Sequence, residues 1–218
     1  MTANIYKVLA ENDFKKLLSA IKKENGPLEI RADYAHISDV KQIDALSAAA
    51  KNKKTIFTLR SAEEGGKFGV NETERISLLK HALKKSFSYV DVELAAAQKN
   101  KISFSAAERK KLILSYHDFK KTPPAAALVK INKQMLAYRP AAVKIAALAK
   151  TERDILTLAR FLIDNIEGGQ PAIVIAMGKK AALTRILFPL LGSFAGYAPS
   201  GKATAPGQIQ FKDFARFL

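Results

Sequence analysis

The 218-residue chain contains no cysteine and no tryptophan. Without thiols, disulfides and thiolate metal sites are excluded, and cysteine usage carries no information about the redox compartment. Histidine is nearly as scarce: His36, His81 and His117 are the only imidazoles, and no two of them have metal-site spacing. Neither a metal nor a cofactor is expected. No apolar stretch is long enough to span a bilayer, and the opening Met1-Thr2-Ala3-Asn4 begins no signal-peptide pattern. The expectation is a cytoplasmic protein with no membrane partner.

Acidic residues are the remaining shortage, 20 against 36 Lys plus Arg, which leaves a formal net charge of +16. Such a surplus first suggests a nucleic-acid partner. The basic residues, however, fall in helical stretches, as at Lys15-Lys16, Lys22-Lys23 and Lys84-Lys85, on solvated faces. No long basic run interleaved with aromatics occurs. The charge therefore reads as a solubilising surface with some attraction for a small anionic substrate, and no nucleic-acid binding is expected.

Hydrophobic residues make up 48% of the chain and charged residues 26%, ordinary values for a soluble globular protein with a real core. Short β-rich runs alternate with amphipathic stretches from end to end. Strands are expected at Ile5–Leu9, Leu28–Arg31, Thr55–Arg60, Tyr89–Leu94, Leu112–His117, Ala142–Ala146, Ala172–Met177 and Phe194–Ala198. Between them the helical period is found at Asn12–Lys23, Asp39–Asn52, Glu72–Lys85, Thr151–Ile166 and Lys179–Leu191. This order predicts an α/β fold, a (β/α)₈ TIM barrel at the short end of its size range, with residues 1–218 as one domain. A doubly wound sheet is the rival. The chain has no Gly-rich phosphate turn after its first strand, which counts against that rival.

The strand ends carry the chemistry. Lys144 stands inside the apolar run Ala141–Leu148, where an unpaired ammonium would cost several kcal/mol. Desolvation favours the neutral amine that Schiff-base chemistry on a ketone needs. The structural alternative is a lysine that snorkels or pairs with a buried carboxylate. Four earlier strands end in pairs two positions apart: Glu29 and Arg31, Thr58 and Arg60, Asp91 and Glu93, Ser115 and His117. Both members of each pair face one side of their strand. In a barrel the carboxyl ends converge on one mouth, so five such ends in order point to a site.

These segments resemble type I 3-dehydroquinate dehydratases. The resemblance is carried by Glu29-Ile30-Arg31-Ala32-Asp33-Tyr34, Phe57-Thr58-Leu59-Arg60 with Glu64-Gly65-Gly66, Tyr89-Val90-Asp91-Val92-Glu93-Leu94 and Ser115-Tyr116-His117-Asp118-Phe119. It continues through Thr122-Pro123, Lys144-Ile145-Ala146, Met177-Gly178, Thr184-Arg185, Gly192-Ser193 and Ala205-Pro206-Gly207-Gln208. It implies dehydration of 3-dehydroquinate to 3-dehydroshikimate through an imine on Lys144. His117 would be the proton-transfer group, and Glu93 the partner that orients it. Arg185 would clamp the substrate carboxylate. Glu29, Arg31, Arg60, Thr204 and Gln208 would position the ring hydroxyls, the last two from a lid at residues 199–208. The oligomeric state stays open, a homodimer included.

The chain departs from the family pattern in three ways. Thr204 and Thr184 stand where serine is usual, and Ala181 replaces a common glycine, which leaves the backbone less free to approach a ligand. The amino-terminal hairpin that closes the barrel bottom in many relatives is expected to be missing before Ile5. Two other readings compete: another class I Schiff-base lyase or aldolase barrel, and a basic nucleic-acid-binding protein without catalysis.

Overall fold

The computed structural model describes residues 4–69, 71–200 and 214. Eight strands run in chain order: β1 Ile5–Leu9, β2 Leu28–Arg31, β3 Thr55–Thr58, β4 Tyr89–Glu93, β5 Leu112–Asp118, β6 Ala142–Leu148, β7 Ala172–Met177 and β8 Gly196–Pro199. They form one parallel sheet in the order β7-β6-β5-β4-β3-β2-β1-β8. Consecutive strands are neighbours, and β1 pairs β8 with Tyr6 opposite Tyr197. The remaining seam is drawn together ahead of β8, where the Phe194 amide donates to the Ala172 carbonyl over 2.8 Å. This is a (β/α)₈ TIM barrel, as the alternation of strands and helices predicts.

The helices are α1 Phe14–Lys23, α2 Val40–Ala49, α3 Glu72–Leu83, α4 Leu94–Lys99, α5 Ala106–Arg109, α6 Ala125–Leu136, α7 Glu152–Glu167 and α8 Thr184–Leu190. Several begin on polar caps: Asp39 and Thr151 each close a capping box, satisfying amide donors that the first turn leaves free. Lys179–Leu191 does not form the single helix expected. Gly178, at φ 107°, starts a 3₁₀ turn over Lys179–Ala181, and α8 follows only from Thr184. The Thr184 hydroxyl donates to the Ala181 carbonyl over 2.6 Å, so the side chain is spent on this joint.

Strand periodicity sorts the residues into two layers. Val143, Ile145 and Ala147 of β6 face outward with Leu112 and Leu114 of β5, against a helix layer that includes Leu128, Leu158 and Leu162. The intervening positions point into the barrel. There Tyr6, Val8, Ile56, Ile113, Ala142 and Ile173 form a separate apolar cluster that fills one end. The carboxyl-terminal end carries the polar residues, and alternation places Lys144 among them and not among the helices.

Candidate active site

A single cavity at the carboxyl ends of the strands is lined by Glu29, Arg31, Arg60, Glu64, His117, Phe119, Lys144, Arg185 and Tyr197, among others. Six of the expected site residues therefore meet. Glu93 is not among the lining residues, and Thr204 and Gln208 lie outside the described residues.

Lys144 is 4% exposed, and it is a paired lysine. Its Nζ donates to Asp91 Oδ2 over 2.8 Å, sits 3.8 Å from Glu29 Oε1, and lies 4.6 Å from the centre of the Tyr197 ring. Thr58 holds Glu29 with a 3.0 Å hydrogen bond from its hydroxyl. Asp91 is shared: Arg60 Nη2 reaches Oδ2 at 2.8 Å, and the Ser115 hydroxyl donates to Oδ1 at 2.6 Å. Burial alone would raise the Asp91 carboxyl, but the Arg60 and Lys144 cations outweigh it and hold Asp91 well below the usual carboxylate range. Tyr197 goes the other way, since burial, together with Glu29 and Asp91, keeps its phenol protonated.

His117 departs from the pairing that the resemblance implies. Its Nδ1 lies 2.7 Å from Glu64 Oε2, and the expected pairing with Glu93 is not made. Glu93 is occupied on both oxygens: Oε1 by Arg60 Nη1 at 3.1 Å and the Ser61 amide at 3.0 Å, Oε2 by Arg75 Nη1 at 2.8 Å. Glu64 sits on the short 3₁₀ turn Ala62–Glu64 that follows β3, and the sequence signal for it was the Glu64-Gly65-Gly66 motif. Gly65 makes that turn feasible. Its φ is 78°, and a Cβ there would lie 2.5 Å from the Phe119 ring. The Phe119 ring in turn lies 13° from parallel with His117, at 6.3 Å.

The pair is electrostatically unusual. Burial raises the Glu64 carboxyl to about 8, with Glu93 and Asp91 adding to the rise and Arg60 opposing it. Burial, then the Arg60 and Lys144 cations, pushes His117 well below the ordinary imidazole value. Near neutral pH the two groups hold one proton between them, and the imidazole is not a free cation.

Arg185 is 8% exposed, and its Nε has no partner among the described residues. Burial pulls this guanidinium down to about 10. Arg185 lines the cavity, and a buried guanidinium there is a ready seat for a carboxylate. Arg31 lines the same cavity but is already held by both oxygens of Asp33, at 2.9 and 2.8 Å. Among the described residues no group of three His, Cys, Asp or Glu side chains could hold a metal ion. Likewise none of the described helices is long and apolar enough to cross a membrane.

Fold and site together define a TIM-barrel enzyme centred on a buried lysine. Comparison with known proteins gives the family. The sequence profile of type I 3-dehydroquinases matches residues 9–218. The 3-dehydroquinate dehydratase of Methanosarcina barkeri is 32% identical, covering 99% of this chain and 93% of its own length. That of Thermococcus onnurineus is 34% identical, over 97% of this chain and 94% of its own. Among solved structures, the 3-dehydroquinate dehydratase of Geobacillus kaustophilus superposes with a TM-score of 0.83 at 27% identity, covering 99% of this chain and 90% of that one. The chain belongs to the type I 3-dehydroquinase family.

Proposed function

We propose that the protein dehydrates 3-dehydroquinate to 3-dehydroshikimate through a lysine imine, as a cytoplasmic enzyme of aromatic amino-acid biosynthesis. The observation that carries this reading is that Lys144, His117 and Arg185 line one cavity. Arg185 takes the ring carboxylate bidentately. Lys144 Nζ passes its proton to His117 and, as the free amine, attacks the ring ketone; a C–N bond forms, His117 returns the proton to the carbinolamine hydroxyl, water leaves, and the iminium remains. The cation draws electrons and acidifies the adjacent C–H bond. His117 removes that proton, with Glu64 fixing its ring through Nδ1, and returns a proton to the departing hydroxyl. Water then hydrolyses the iminium and frees Lys144, so the net change is loss of one water. Glu29, Arg31, Arg60, Thr204 and Gln208 are assigned to the ring hydroxyls. Asp91 keeps Lys144 aimed into the cavity.

The test is covalent. Incubation with 3-dehydroquinate should give the absorbance of the conjugated product, and borohydride reduction during turnover should add the ligand mass at Lys144. Modification at Lys150, or turnover with no adduct, would refute the imine. Lys144→Ala should lose the adduct, and Lys144→Arg should not restore it, because guanidinium stays protonated.

A further inference from the structure

We propose that Arg75, on α3 and outside the cavity, is a positioning residue for the Glu64–His117 pair, acting through Glu93. Its catalytic readout rests on the function proposed above. Arg75 is 1% exposed and heads the largest fully buried side chains. A guanidinium is carried to such a place only when its donors are paired. One edge is taken by Glu72 of the same helix, Nε to Oε2 at 2.8 Å and Nη2 to Oε1 at 2.7 Å. That local fork would serve equally well at the surface.

The remaining nitrogen carries the inference. Nη1 donates both to the Leu59 carbonyl, at 2.7 Å, and to Glu93 Oε2, at 2.8 Å. Leu59 is the backbone immediately before Arg60. Glu93, through Oε1, receives the Arg60 side chain at 3.1 Å and the Ser61 amide at 3.0 Å. One guanidinium thus fixes the strand end from two sides. Ser61 then governs the turn: its hydroxyl accepts from the Glu64 amide at 3.3 Å and its carbonyl from the Gly66 amide at 2.8 Å. The contacts run without a gap from Arg75 through Glu93 and Ser61 to Glu64 and His117. The charged groups around Glu64 are Arg60, Glu93, Asp91 and His117, so a freed Glu93 would disturb its proton as well as its place.

A double-mutant cycle tests the proposal. Arg75→Met should lower kcat about tenfold or more, with KM changed much less, since a small misplacement is costly in a catalytic pair. Arg75→Lys should recover part of the loss, because one ammonium can reach Glu93 but cannot reproduce the fork. In a Glu64→Gln background, Arg75→Met should cost less than about twofold, because the coupling route is already cut. Additive losses would overturn the proposal, leaving Arg75 a purely structural ion pair. If Arg75→Met does not fold, the cycle is run with Arg75→Lys. A second readout needs no substrate: the ¹⁵N resonance of His117 Nδ1 should move in the Arg75 variants toward its Glu64→Gln position. An unmoved resonance refutes the positioning role. A moved resonance in a protein that leaves 3-dehydroquinate unchanged refutes only the assigned reaction.

Discussion

Glu64 Oε2 and His117 Nδ1 lie 2.7 Å apart, and burial shifts both groups away from their charged forms. The pair titrates as a unit that gives up its shared proton near the value of about 8 to which the Glu64 carboxyl is raised. The rate should therefore rise along an acid limb toward that pH, because loss of the shared proton leaves a Glu64 carboxylate accepting from Nδ1 and frees Nε2 as the base. Glu64→Gln replaces the titrating acid with a fixed amide, so that limb should disappear and turnover should drop by roughly 10²-fold. A pH–rate profile of kcat in both proteins checks this. Persistence of the limb in the variant would mean that another group controls it.

Asp91 makes a prediction about stability. Its folded carboxyl titrates below its unfolded value of 3.8 because Arg60 and Lys144 overcome the effect of burial. A depressed acid contributes stability that is present above the unfolded value and is lost as pH falls below it. Asp91→Asn, which takes the shared carboxylate from two buried cations and leaves them only Glu93 and Glu29, should cost about 3 kcal/mol at neutral pH. The gap between wild type and variant in urea unfolding should narrow as the solution is taken below pH 3.8. A gap that stays constant with pH would show that Asp91 acts by packing and not by charge.

Both predictions depend on residues of unequal visibility in the sequence. The barrel and the inward set were legible because a strand has a period of two: Val143, Ile145 and Ala147 must face the helices, which sends Lys144 to the interior. The partner of His117 was not legible in this way. Glu64 is 53 positions away in the chain, on a turn where no periodicity applies. Glu93 sits inward on the neighbouring strand and is the natural candidate by register, with its Cα paired to Ser115. What removes it is Arg75, a helix residue whose charge predicts exposure and which is instead 1% exposed. The apolar run around Lys144 predicts its burial, but its carboxylate partners, Glu29 and Asp91, are found only once the closed barrel brings the inward faces of β2, β4 and β6 together in space.

Gly65 gives a test of the turn itself. An alanine there meets two penalties: a positive φ, worth about 1 kcal/mol, and a Cβ driven into the Phe119 ring. Gly65→Ala should lose far more activity than stability, because the turn displaces Glu64 while the barrel is untouched. Phe119→Ala in the same chain should restore part of the lost turnover by opening the space. If the double variant is no better than Gly65→Ala alone, the contact with Phe119 is not what fixes the turn.

Arg185 and the surface charge make separable contributions to capture of an anion. Arg185 is a contact: it lines the cavity, burial has lowered its guanidinium to about 10, and a bound carboxylate supplies the counter-charge. Arg185→Ala should raise KM steeply, at a cost on the order of 3 kcal/mol in kcat/KM, since both bonds of a charge-assisted fork are lost. The net charge of +16 acts at a distance and is screened by salt. Neutralising Lys22 and Lys23, both exposed at the end of α1, should change kcat/KM little at physiological salt but flatten its decline with ionic strength. Arg185→Ala should keep the wild-type salt slope, because the field that steers the substrate is still present. Equal slopes in wild type and the Lys22/Lys23 variant would assign those charges to solubility, and an unchanged KM in Arg185→Ala would remove the clamp from the proposed site.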